Sequence, residues 1–266
     1  MTELVNPIAR ENGTERIVLV DEVRSGIECD CRCLFCDVAL VARKGLHKIH
    51  HFAHHAKEVD QDKPCLASFE RALFWMARTI FEDSDSLYLP EFYIRYRDLE
   101  LELKKTFSIE AKEIQYKNVE FPELIISKQI DTTVITTGHT KLAIRLFYSK
   151  GNFQPECESY LWDGSYIPSL SIDLSHLFDV FLVRRSGFRQ VIQSHLLEDN
   201  KAKSWLFHPH QPFYEAEFEK LKAKNKPKQT ITPEVEPLKV RSKPKPENAM
   251  EAARQRFKKK MRESGY

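Results

Sequence analysis

No stretch of this 266-residue sequence approaches the ~18 consecutive apolar residues of a membrane span. The first residues, Met1 to Gly13, are polar and lack the apolar core of a secretory signal, so the expectation is a soluble chain that stays in the cytoplasm. Net charge is nearly absent. A formal charge of +2 creates no global field for nucleic acid, and any basic binding face must be local. Cysteine is scarce, at six residues, and nothing marks the chain as secreted, which argues against a disulfide scaffold. What the chain does have is 42% apolar residues, over a length sufficient to bury a core in one large domain or two small ones.

The few cysteines are unevenly placed. Cys29, Cys31, Cys33 and Cys36 fall within eight residues, too close along the chain for the geometry of bridges and well suited to a metal. After Cys33-Leu34-Phe35-Cys36 come fourteen residues and then His51-Phe52-Ala53-His54. A C-x2-C pair followed by an H-x2-H pair is the ligand order of a structural Zn2+ site. The predicted ligands are Cys33, Cys36, His51 and His54, each pair chelating from a tight turn or one helical turn. Cys29, Cys31, His50 and His55 are the reserves. Cys65 is either a further ligand or a buried thiol. The competing reading is a reduced, cysteine-rich loop with surface histidines.

Along the chain, Ile17–Val20 and Ala39–Ala42 read as short strands around the cysteines. With the returning histidines they form a zinc-binding ribbon-like unit over residues 15–62, too poor in apolar residues to fold without its metal. Ser68 to Phe81 is the clearest helix, with Phe69, Leu73, Ala77 and Ile80 recurring at helical spacing and Ser68 as N-cap. Strands are predicted at Leu87–Tyr96, Leu99–Leu103, Phe107–Ile114, Leu124–Ile126, Thr132–Thr136 and Leu142–Phe147. Ile172–Val183 and Val191–Leu197 suit helices or a strand–helix pair. These elements make an α/β core over 63–220. From Leu221 the chain turns to lysine and proline, for example Lys222, Lys224, Pro227 and Pro233, which predicts a disordered linker. It ends in a basic helix-favouring piece, Asn248 to Glu263, that either orders on a partner or remains a solvated tail. Lys104-Lys105 with Lys112 and Lys117, and Arg184-Arg185 with Arg189, either track a phosphate backbone or form solvated faces. Trp75, Trp162 and Trp205 suit core positions better than base-stacking platforms.

The cysteine pair, the Gly45 turn, His51-Phe52-Ala53-His54, then Cys65 and then Glu70 on a helix resemble the competence protein CoiA-like family. The resemblance covers roughly residues 15 to 210 and is strongest from Cys33 to Glu70. It implies a zinc-ribbon-like N-terminus followed by a nuclease domain of the PD-(D/E)xK class. The fold class expected is therefore α+β, with a zinc-stapled N-terminal unit, a mixed-sheet restriction-endonuclease-like core and a flexible basic tail. In that class, acidic side chains converge on Mg2+, which neutralises charge on the attacked phosphate. Glu70 matches the helix position and Asp131 the strand position. Arg145 stands where the family carries its third acid. An arginine beside Asp131 would pair with the carboxylate and oppose Mg2+ binding.

The resemblance thus implies a DNA-processing protein with a degenerate site of Glu70, Asp131 and Arg145 that binds DNA or a partner with weak or no cleavage. One alternative is an active Mg2+-dependent endonuclease with rearranged ligands, using either the triplet Glu110-Ala111-Lys112 with Glu91 or Asp98 upstream, or Glu156 or Glu158. Another is a protein-interaction module whose basic tail docks on an acidic partner.

Overall fold

The computed structural model describes residues 6–56, 65–122, 130–149 and 160–226. Its elements make a mixed α+β architecture with several sheets.

The N-terminal sheet contains β1 (Ile8–Glu11), β2 (Ile17–Leu19), β3 (Gly26–Arg32), β4 (Ala39–Arg43) and β5 (His51–His54). The strands are antiparallel in the order β2-β1-β3-β4-β5. It begins ahead of the predicted unit, because Ile8 and Ala9 pair with Leu19 and Val18 and bury completely.

Helix α1 (Phe69–Glu82) starts where the sequence places it. The Ser68 hydroxyl accepts from the Arg71 N–H at 3.2 Å, satisfying one of the orphan donors of the first turn. Its buried stripe, including Phe69, Leu73, Met76, Ala77 and Ile80, lies in one continuous core with Ile8, Leu19, Leu40 and Phe52 of the first sheet.

Next come β6 (Ser86–Leu89), β7 (Phe92–Asp98), β8 (Leu103–Ile109), β9 (Lys112–Gln115) and β10 (Val119–Glu120). Each of the two long strands predicted here is broken. Pro90, which lacks an N–H for a ladder, separates β6 from β7, and Glu110 separates β8 from β9. β6 pairs with β9, while β7 and β8 form a separate two-stranded ribbon. Leu99–Glu102, predicted as part of a strand, is the turn of that ribbon, where Asp98 Oδ1 accepts from the Leu101 N–H at 3.0 Å.

The second sheet is built on β11 (Ile130–Thr137) and β12 (Thr140–Phe147). They run antiparallel from Ile130↔Phe147 to Thr137↔Thr140. The two-residue turn between them holds Gly138 at φ 59°, the left-handed conformation such hairpins require. A small hairpin, β13 (Leu161–Trp162) with β14 (Ser165–Tyr166), leads to β15 (Ser169–Asp173), which is parallel to β12. Helices α2 (Leu177–Val183) and α3 (Phe188–Leu197) return the chain to β16 (Lys203–Phe207). The sheet order is β10-β11-β12-β15-β16. Ile135, Leu142, Ile144, Leu146, Leu170 and Ile172 join the core shared with α1. Helix α4 (Gln211–Asn225) follows, so Leu221–Asn225, predicted as linker, is helical. Leu124–Ile126, Glu156, Glu158 and residues 227–266 lie outside the described residues. Among the described residues, no helix is long and apolar enough to cross a membrane.

The N-terminal sheet is also tied to α3 by polar contacts. Asp21 Oδ2 accepts from the Gly187 N–H at 2.8 Å. Arg189 forks onto Glu22 at 2.6 and 2.9 Å and also donates to the Ile17 carbonyl at 2.8 Å. Burial pushes the Glu22 pKa up, but Arg189 and the Leu19 N–H outweigh it and the net shift is downward. A carboxyl with a depressed folded-state pKa stabilises the fold above its unfolded value of ~4.3, and that stabilisation is lost as pH falls through the lower folded value. The expected result is that Glu22→Gln narrows the stability difference between neutral and acidic pH, read from urea midpoints. An unchanged pH profile would remove this clamp from the fold.

Candidate metal centre and the buried Asp131 pair

β3 and β4 are joined by a tight knuckle. The Cys33 N–H donates to the Val38 carbonyl at 2.9 Å and the Asp37 N–H to the Cys33 carbonyl at 3.0 Å. Asp37 takes a left-handed φ of 59°, unusual for a residue with a side chain. It is held there by Arg10 on its carboxylate at 2.5 Å and Arg32 on its carbonyl at 2.7 Å. This turn presents Cys33 and Cys36 side by side. His54 comes from the end of β5 and Cys65 from the lead-in to α1.

The donor atoms of Cys33, Cys36, His54 and Cys65 all lie within 4.8 Å of one another. Cys33 and Cys65 Sγ are 3.6 Å apart, and Cys36 Sγ is 3.2 Å from His54 Nε2. An ideal tetrahedron with metal–sulfur bonds of about 2.3 Å and metal–nitrogen bonds of about 2.0–2.1 Å has edges of about 3.8 and 3.6 Å. The cluster is therefore near coordination geometry, and these residues could hold a metal ion. The Phe35 N–H points at Cys33 Sγ (3.5 Å) and the Ala67 N–H at Cys65 Sγ (3.3 Å), as expected for sulfurs that carry negative charge. Burial pushes the Cys33 thiol up to about 12, raises Cys65 and lowers His54. Without a cation this burial keeps the Cys33 and Cys65 thiols protonated and the His54 imidazole neutral. Ligation must remove the thiol protons.

His51 is not brought into the cluster. Residues 51–54 form a strand paired with Leu40–Arg43, rather than the turn or helix that H-x2-H chelation needs. Residues three apart on a strand face opposite ways. His51 is buried, its Nδ1–H donating to the Ile49 carbonyl at 2.9 Å. Cys65 takes the fourth position. Of the reserves, Cys29 and Cys31 spend their thiols on the carbonyls of Leu40 (3.3 Å) and Cys29 (3.0 Å), and burial holds Cys31 up at about 12. His50 contacts Arg185 at 3.3 Å.

Asp131, the second residue of β11, has its side chain fully buried. Both carboxylate oxygens are taken by Arg78 of α1, Nε to Oδ2 at 2.8 Å and Nη2 to Oδ1 at 2.7 Å. The Thr132 N–H adds a third bond at 2.9 Å. The Arg78 guanidinium lies 5.0 Å from the Phe121 ring and 5.8 Å from Trp75. It lines a cleft of about 630 Å³ with Arg16, Glu82 and Arg189, which Asp131 does not reach. α1 thus meets Asp131 at position 78, eight residues and about 12 Å along the helix from Glu70. Glu70 sits instead near Tyr148, whose hydroxyl is pushed up to about 12 by burial, with the charges of Glu70 and Asp179 adding to the rise.

Arg145 is on the wrong face to pair with Asp131. Asp131 stands opposite Leu146, and Arg145 opposite Thr132. Side chains directly opposite share a face, so Arg145 projects from the other side of the sheet, its guanidinium 5.5 Å from the Tyr160 ring. The alternative triplet does not assemble either. Asp98 faces Lys222 of α4 at 3.9 Å, and Glu110 lies in the exposed break between β8 and β9. Among the described residues, the Cys33–Cys36–His54–Cys65 cluster is the only metal-competent grouping of His, Cys, Asp and Glu side chains.

Arg78 is the residue that reading the sequence misses. It follows Ala77 at the margin of the apolar stripe and looks like a solvated helix position. Compared with known protein families, curated proteins and solved structures, the chain matches none of them.

Proposed function

We propose that this chain is a zinc-stapled, restriction-endonuclease-like protein of the cytoplasm that binds DNA and does not cut it. Three thiols and one imidazole, closed around a single point, suit Zn2+ in a structural role, since no position is left for water or substrate. The observation that carries the reading of the second site is the Arg78–Asp131 fork. The one acidic group at the strand position is buried, and a guanidinium supplies the positive charge that Mg2+ would bring. Metal entry would have to displace a bidentate charge-assisted pair, and among the described residues no other acids group with the freed carboxylate to complete an oxygen shell. The degenerate site expected from Glu70, Asp131 and Arg145 does not assemble as such, and the reading rests instead on Asp131 with Arg78. The DNA-binding half of the reading rests on the family resemblance of the Cys33–Glu70 segment.

The test is incubation of plasmid and single-stranded DNA with Mg2+ or Mn2+, using wild type, Arg78→Ala and Asp131→Ala. The expected result is salt-sensitive retention of DNA by wild type with no metal-dependent cutting by any of the three. Cutting by wild type that disappears in Asp131→Ala would establish the active-nuclease alternative. Failure to bind DNA at low salt would favour the protein-interaction alternative.

A further inference from the structure

Strands alternate their side chains between two faces, and the β7–β8 ribbon separates chemistry cleanly between them. On the inner face, Tyr96 stacks on Phe218 of α4 (5.3 Å between centroids, 20° between planes) and Phe107 on Tyr214 (4.4 Å, 15°). Asp98 meets Lys222 of the same helix at 3.9 Å. A two-stranded ribbon is marginal by itself, and this backing makes it a firm support.

On the outer face the register places Tyr93 opposite Ser108, Arg95 opposite Thr106 and Arg97 opposite Lys104. All six are exposed. Three are cations, three carry hydroxyls and none is acidic. Arg97 and Lys104 stand directly across from each other, an arrangement that is destabilising in the free protein, and among the described residues neither is in an ion pair. Arg95 is held over the Tyr93 ring, 5.6 Å from its centroid, and donates to the phenol oxygen. The neighbouring carboxylates Glu91 and Glu110 lie at the open end of the ribbon and Glu100 and Glu102 in its turn, beside the Arg97–Lys104 pair, so the outer face of the two strands carries no acid of its own.

We infer that this outer face binds double-stranded DNA, with the ribbon seated in the major groove. The inference rests on the DNA-binding reading above and names the surface that carries it. Two strands about 4.8 Å apart, with their side chains, fit a groove about 12 Å wide that admits a two-stranded β-ribbon. Arginine and lysine meet phosphates along its walls, while the hydroxyls are short donors to phosphate oxygens or base edges. The like-charge pair is relieved when a phosphate lies between its members.

The experiment is a fluorescence-anisotropy titration of the full chain, zinc-loaded, against a short duplex and the single strand of the same sequence over a range of NaCl. Arg95, Arg97 and Lys104 are replaced together by Ala in one variant. A control removes equal charge elsewhere at the exposed positions Arg24, Lys48 and Lys201. The ribbon variant is expected to bind duplex at least about tenfold more weakly at low salt and to lose about 2–3 from the log–log salt slope, since each phosphate contact contributes about 0.9. It should also lose the preference for duplex over single strand that wild type shows. The control should behave as wild type. Lys104→Arg with Arg97→Lys keeps the charge and should keep the slope, which separates charge from misfolding. Wild-type affinity and slope in the ribbon variant would overturn the ribbon while leaving DNA binding intact. Equal wild-type affinity for duplex and single strand would overturn the groove geometry. No DNA binding by wild type would overturn both this inference and the reading beneath it.

Discussion

Cys65→Ser is expected to strip the metal centre as completely as Cys33→Ser or Cys36→Ser, while His51→Asn retains about one zinc per chain. Four donors fill a tetrahedral site, and removal of one thiolate leaves an open, weakly held ion. The centre joins three segments distant in sequence: the β3–β4 knuckle, the end of β5 and the start of α1. Structural zinc contributes about 10–16 kcal/mol in small finger peptides. Here the N-terminal sheet also buries Ile8, Leu19, Leu40 and Phe52 against the common core, so metal loss should loosen these segments rather than unfold the whole chain. Hydrogen exchange should show the knuckle and β5 losing protection in the metal-free protein, with β11 and β12 unchanged. The thiols bind zinc only after deprotonation, and burial holds Cys33 near 12 in the metal-free state. Zinc should therefore be released as pH falls, since protons compete for the same sulfurs.

Arg78→Ala is expected to destabilise the protein by about 3–5 kcal/mol, because it leaves a buried carboxylate without its partner. Asp131 is 1% exposed and cannot reach water to compensate. Asp131→Asn should lose less, since an amide keeps the Thr132 bond and carries no charge to desolvate. Replacing both residues with apolar side chains of similar volume should recover much of the loss, because a buried pair is hard to desolvate and offers little net stability over well-packed hydrocarbon. Urea midpoints for the two single variants and the double variant give the coupling directly. Strictly additive effects would mean that the fork does not hold the site.

The helix signal was legible because Ser68 and the stripe Phe69, Leu73, Ala77 and Ile80 are local, and local patterns survive in the folded chain. Two thiols and one imidazole of the metal cluster were legible from the C-x2-C spacing and the return of histidines. The choice between His51 and Cys65 was not. His51-Phe52-Ala53-His54 matches a chelating spacing, but pairing with Leu40–Arg43 makes it a strand and sends the two imidazoles apart. Cys65 lies far along the chain, and its approach depends on how α1 docks. The same holds for Arg145 and Arg78. Both are arginines near apolar segments, and the face each one takes is decided by β11–β12 register and by helix placement. Pro90 breaks the predicted strand for a local reason, whereas the ribbon of β7 and β8 emerges only when α4 supplies a surface for its aromatic face.

X-ray absorption at the zinc edge, on the intact chain purified with its metal, tests the metal centre most directly. The expected spectrum has three sulfurs at about 2.3 Å and one nitrogen at about 2.0–2.1 Å, with about one zinc per chain. In Cys65→Ser the zinc should be lost. A shell of two sulfurs and two nitrogens, unchanged in Cys65→Ser and altered in His51→Asn, would contradict the cluster, as would a folded chain purified without zinc that does not take it up.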